Sequence, residues 1–184
     1  MHTTSSQTIG PYLHIGMTWL ACDDMAAEGV AGERVTIQGR VIDADGAPVN
    51  DAMIEIWQAN AQGKYAHPED TRDLPVDARF TGFGRVFTGA EGRFRVHTIK
   101  PGPVPGPDGG AQAPHLNVTI FMRGLLKHLI TRMYFPDDAN AHDAVLQRVP
   151  AERRATLVAR AVQPGALEWN IVLQGDGETV FFDC

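Results

Sequence analysis

Seven histidines are the residues best suited to chemistry: His2, His14, His67, His97, His115, His128 and His142. None forms a His-x-His or His-x₃-His pair. A strand that presents two metal ligands on one face needs the spacing i, i+2. His115-Leu116-Asn117 has that spacing but supplies one imidazole, and a neutral amide is a weak ligand for a transition metal. Read from the residues alone, His115 is a hydrogen-bonded strand histidine. Nucleophilic hydrolysis fares no better. The only serines are Ser5 and Ser6, with no Gly-x-Ser-x-Gly elbow, and Cys22 has no evident His or Asn context. Neither a Gly-x-x-x-x-Gly-Lys-Ser/Thr nor a Gly-x-Gly-x-x-Gly loop is present, so nucleotide binding has no support.

The elements that must position these residues are β-strands. The chain has 184 residues, 43% hydrophobic and 21% charged. That suits one globular domain with a sizeable core, here residues 1–184, and excludes wholesale disorder or a coiled coil. Gly 19 and Pro 12 make about one residue in six, which favours a loop-rich β architecture over a helical bundle. A net charge of −6 without a long basic run argues against a nucleic-acid partner. Cys22 and Cys184 are too few for a disulfide framework; they read as two free thiols in a reducing compartment, or as one bridge tying the ends. No apolar run approaches the roughly 18 residues of a membrane span. Met1-His2-Thr3-Thr4-Ser5 lacks the basic start and apolar core of a secretory signal. The expected location is cytoplasmic, with no membrane partner.

Residues 1–34 read as an arm, extended around Thr8-Ile9-Gly10-Pro11-Tyr12, and then a loop. Val35, Ile37, Gly39 and Val41 alternate with polar residues, the period of a half-buried strand. Further strands are predicted over 52–57, 83–87, 94–98, 115–122, 128–135, 169–174 and 179–182. Residues 64–82 form a long polar excursion of the kind that serves as a functional loop. Lys100 to Gly110 holds four prolines and four glycines, which excludes a strand or helix interior. One short helix is predicted over 150–160. The fold class is therefore all-β: a β-sandwich of about eight short, mostly antiparallel strands with long loops.

Several segments resemble the intradiol ring-cleaving dioxygenases: Gly39-Arg40-Val41-Ile42-Asp43, Ile54-Glu55-Ile56-Trp57-Gln58-Ala59-Asn60, Phe83-Gly84-Arg85, Thr98-Ile99-Lys100-Pro101-Gly102, Ala113-Pro114-His115-Leu116-Asn117 and Arg132-Met133-Tyr134-Phe135. They keep their order and spacing over nearly the whole chain. The resemblance is to the branch built from paired homologous alpha and beta chains. There the beta chain holds non-haem Fe(III) through two tyrosines and two histidines. Those four positions fall here at Arg72, Val104, His115 and Asn117, so one ligand of four remains. Supporting glutamine and arginine positions fall at Gln112 and Arg132. Valine has no donor and the arginine cation repels a metal, so the resemblance implies no metal ligand set in this chain.

The alpha-type features are Ser6 to Gly16, the Phe121-Met122-Arg123-Gly124 segment and the ending Gly175 to Asp183. The resemblance implies that Thr8, Ile9, Gly10, Pro11, Tyr12 and Arg123 line the mouth of a substrate pocket at an alpha–beta interface. Arg123 would offer a fork of donors to the carboxylate of an aromatic acid; its plainer reading is a surface arginine in a turn. With an iron-bearing beta subunit, in a higher-order oligomer, the complex would cleave protocatechuate with O₂. Two other readings compete. One is a non-catalytic β-sandwich binding module. The other is a self-sufficient iron enzyme drawing donors from Tyr65, His67, His115 or aspartates.

Overall fold

The computed structural model describes residues 3–106, 109–136 and 138–183. His2, Pro107, Asp108 and Cys184 lie outside the described residues. Six strands form the frame: β1 (Arg34–Ile42), β2 (Met53–Trp57), β3 (Phe83–Phe87), β4 (Arg93–Ile99), β7 (His115–Phe121) and β8 (Leu129–Tyr134). Between β4 and β7 lie two short strands, β5 (Val104–Pro105) and β6 (Ala111–Gln112); after β8 come β9 (Arg160–Gln163), β10 (Ala166–Glu168) and β11 (Ile171–Val172). One sheet centres on β1, which pairs antiparallel with β4 and parallel with β10 and β11; β9 adds to β10. The other is fully antiparallel in the order β3-β2-β7-β8.

Alternation explains the sandwich. In β1, Val35, Ile37 and Val41 are buried while Thr36, Gln38 and Arg40 are less so. In β7, Leu116, Val118 and Ile120 point the same way into the core. These meet Ile54 and Ile56 of β2, Phe94 and Val96 of β4 and Met133 of β8 in one cluster between the sheets. A buried amide locks the layers together. Gln58 donates from Nε2 to Ile99 O at 2.9 Å and accepts from Thr98 Oγ1 at 2.7 Å. No polar atom of that amide is left to waste its desolvation.

The all-β sandwich is the fold that alternation predicts, and its details differ in four places. The arm is not extended throughout: a short helix, α1 (Tyr12–Met17), follows Gly10 (φ 62°) and Pro11. Proline's fixed φ suits a helix start. The segment 150–160 is instead a 3₁₀ turn over Ala151–Leu157, because only Leu157 of that stretch is buried and Val158 already bridges Tyr134. A one-turn helix, α2 (Ala144–Gln147), precedes it. The Pro-rich segment does hold a strand: Pro105 pairs Ala111 in the isolated β5–β6 hairpin, where no central ladder needs its missing N–H. Towards the end of the chain, 169–174 keeps two strand residues and 179–182 a single bridge, Phe182 to Ile130. Among the described residues no helix is long and apolar enough to cross a membrane.

Gly39 sits where the β1 backbone passes under Trp169. A Cβ there would stand 1.8 Å from the Trp169 carbonyl oxygen and 3.0 Å from the Phe94 ring. Backbone cannot yield as a side-chain tip can, so Gly39→Ala should cost about 3 kcal/mol, the upper part of the overpacking range. The urea midpoint should fall at unchanged slope; an unaltered midpoint would contradict this packing.

Candidate functional site

The outer face of the β3-β2-β7-β8 sheet carries a row of residues that alternation turns away from the core. Trp57 pairs with Asn117, Asn117 with Arg132, and His115 with Tyr134. Two segments fold over this face. The excursion after Gly63 brings Tyr65, His67, Glu69, Asp70, Thr71 and Arg72, and the β5–β6 hairpin brings Val104, Pro105 and Gln112. With Trp57, His115 and Arg132 they line an open cavity of about 680 Å³.

The structure thus gathers Arg72, Val104 and His115 at one cavity, with Gln112 and Arg132, and sets Asn117 beside it. Asn117 Nδ2 donates to the Tyr65 hydroxyl and to Trp57 O, each at 3.4 Å. Arg72 does not stand free. Its Nε and Nη2 donate to the two Asp70 carboxylate oxygens at 2.9 and 2.6 Å, and Nη2 also reaches Gly63 O at 2.6 Å. Lys64 Nζ lies 3.3 Å from Asp70 Oδ1, and Tyr65 N donates to Oδ2 at 2.9 Å. Those bonds, the Arg72 pair first, hold the Asp70 carboxyl well below its ordinary range.

A second network fixes the floor. Asp143 is fully buried and caps α2, accepting from Val145 N and Leu146 N. It also accepts from Ala113 N at 2.8 Å and from the Tyr134 hydroxyl at 3.0 Å. The Ala113 carbonyl in turn holds His115 Nδ1 at 2.7 Å. The Tyr134 hydroxyl lies 3.4 Å from Arg132 Nη1, which donates to Gln112 Oε1 at 2.7 Å. Burial first, then the Arg132 cation, lowers the His115 pKa to about 4. Burial pushes the Tyr65 and Tyr134 phenols up.

As a donor set for ferric iron these residues do not fit. Val104 brings no donor, Arg72 brings a fixed cation, and His115 brings one neutral imidazole. Tyr65, His67 and Asp70 share the cavity, yet the Tyr65 phenol is disfavoured as an anion and Asp70 is spent on two cations. No group of three or more His, Cys, Asp or Glu converges for a metal among the described residues.

The other predicted residues lie elsewhere. Arg123 follows the far end of β7. Its Nε donates to Asp51 Oδ2, while its side chain stays 60% exposed. Thr8 Oγ1 accepts from Gly124 N at 2.9 Å, pinning the arm to the Arg123 turn. Ile9 joins Phe121, Met122 and Leu126 around a smaller hollow. Tyr12, Ile15 and Trp19 are 79%, 71% and 77% exposed. Sequence reasoning missed Asp70 and Asp143. An aspartate just before Ala-Val-Leu is a capping signal that points to Asp143; nothing local marks Asp70 beyond its place in the excursion.

The buried imidazole makes stability fall with acid. Unfolded His115 takes a proton near pH 6.5, whereas the folded chain refuses it until about pH 4. Stability should therefore be full above pH 6.5 and drop by about 3 kcal/mol on the way to pH 4. Denaturant titrations across that window should show a shallower slope in His115→Gln; identical slopes would place the acid sensitivity elsewhere.

Comparison with known proteins places this geometry. Residues 18–175 match the family model described as Dioxygenase. The chain is 45% identical to the protocatechuate 3,4-dioxygenase alpha chain of Burkholderia cepacia, covering 98% of this chain and 96% of that one. It is 41% identical to the beta chain of the same enzyme from that organism, over 80% of this chain and 67% of the other. Among solved structures it resembles the dioxygenase domain of a carbohydrate-binding fusion from Streptomyces sp. SirexAA-E, with a TM-score of 0.64, 26% identity and 97% and 100% of the two chains covered. A binding module unrelated to ring cleavage is not favoured by these likenesses. The shared sandwich, the matched span and the identity along nearly the whole length make this chain a member of the intradiol ring-cleaving dioxygenase family, of the alpha-chain type.

Proposed function

We propose that the chain is the iron-free alpha subunit of a protocatechuate 3,4-dioxygenase. It pairs with a homologous beta subunit that holds Fe(III), within a higher-order alpha–beta oligomer in the cytoplasm. The complex cleaves 3,4-dihydroxybenzoate between its two hydroxyl-bearing carbons. Both atoms of O₂ enter the product, 3-carboxy-cis,cis-muconate. The names of the related alpha and beta chains support the pairing and the substrate.

The observation that carries this reading is the separation of two clusters along β7. His115 opens the strand at the cavity, and Arg123 lies just beyond its end at Phe121. Six steps of strand put about 20 Å between them. The arm residues Thr8 to Tyr12, tied to the Arg123 turn, are therefore out of reach of their own chain's cavity. Their use is in trans. Ile9 and Leu126 meet at the hollow beside that turn, and Tyr12, Ile15 and Trp19 are exposed apolar side chains further along the arm, surface that a partner chain would cover. Arg123 keeps both Nη groups without a protein acceptor among the described residues, ready for a substrate carboxylate at the seam. Gly10, with φ of 62° and nothing within 4 Å of where a Cβ would stand, lets the arm turn there.

This chain's part in the chemistry is to bind and orient. Arg123 would fix the carboxylate end, and the arm would exclude water at the mouth of the partner's pocket. In the assembled enzyme, Arg123→Ala should weaken apparent substrate affinity by about 1–3 kcal/mol, as for a lost charged hydrogen bond, with iron content unchanged. Steady-state O₂ uptake measures it, and unaltered KM and kcat would remove Arg123 from the pocket.

A further inference from the structure

The geometry points to a second ligand site in this chain: the cavity under the excursion binds a small aromatic carboxylate without any metal. Its volume, about 680 Å³, lies within the range of small-molecule pockets. One wall is aromatic. The Trp57 and Tyr65 rings are nearly parallel, 10° apart with centroids at 6.0 Å, and His67 meets Trp57 edge-on. Val104 and Pro105 supply an apolar side to the same space.

The charge is set by Arg132. It is half-buried, donates to Gln112 Oε1 and approaches the Tyr134 hydroxyl, and has no carboxylate partner among the described residues. The remaining N–H groups of its fork have no protein acceptor among those residues, and a guanidinium fork matches a carboxylate in shape. The neighbouring cluster adds to this field, since the single Asp70 carboxylate serves both Lys64 and Arg72. Glu69 is the one other acidic side chain on the described lining, and it is exposed at the rim. With Asp143 behind Tyr134 counted, the acidic and basic groups around the hollow balance, so the anion-binding element is the Arg132 fork itself, a cation with open donors and no direct carboxylate partner among the described residues. The Asp143 network keeps Arg132 aimed through Tyr134, so the site is pre-formed rather than assembled by the ligand.

Calorimetric titration of the full chain with benzoate, in the absence of any partner, tests this independently of ring cleavage. One saturable site per chain is expected, with benzamide binding at least about tenfold more weakly for want of the charge. Arg132→Gln should weaken benzoate by about tenfold or more. Thr71→Trp, a change at an exposed rim residue, should block the cavity and abolish binding even if Arg132→Gln fails to fold. Absence of saturation up to about 10 mM, which corresponds to less than about 3 kcal/mol of affinity, would overturn the proposal. So would equal affinity for benzamide, or benzoate binding that survives Thr71→Trp.

Discussion

One buried carboxylate, that of Asp70, organises the roof of the cavity. With a side-chain exposure of 8%, it gathers Arg72 and Lys64 and also takes the Tyr65 and Arg72 backbone N–H groups. Without it, the stretch from Lys64 to Arg72 would hold a buried lysine and a half-buried arginine with no counter-charge, a costly arrangement. With it, a polar excursion that has no strand or helix of its own becomes a fixed wall, and Tyr65 comes to rest on Trp57. Arg72, at a position where the family resemblance implies a tyrosine ligand, anchors the loop through an ion pair. The same cation makes that space hostile to ferric iron.

The sandwich then divides the labour along one strand. At the start of β7, His115 and Asn117 face the cavity side of the sheet, and Asp143 fixes the floor through Ala113 and Tyr134. Beyond its end, the Arg123 turn is stitched to the arm by Thr8 and to β2's approach by Asp51. The rigid strand between them passes through the core, so neither cluster can migrate to the other. A cavity without an iron donor set at one end and exposed apolar arm residues at the other are the two features on which the proposed role, completing a site on a neighbour, rests.

The frame was legible because its strands are half-buried. In β1, β2, β3, β4, β7 and β8 alternate positions, mostly apolar, have a core to face, and the boundaries agree within a residue or two. The elements that escaped have no such driving force. Helix α1 buries none of its residues, and β9 is exposed along its length. Their order comes from local geometry: Gly10-Pro11 before the helix, Pro164-Gly165 between β9 and β10. The convergence of Arg72, Val104, Gln112 and Arg132 came from resemblance, because their spacing along the chain carries no period. Asp70 and Asp143 act through hydrogen bonds to distant segments, which no linear pattern records.

The most direct test of the account is the iron content of this chain purified alone after expression in iron-rich medium. A cavity with Arg72 and Val104 where the resemblance places two tyrosinates should hold essentially none, and the preparation should be colourless. Stoichiometric iron with a tyrosinate-to-iron absorption band would contradict the account, and would make Tyr65 and His115 ligands in a dioxygenase that needs no partner's metal.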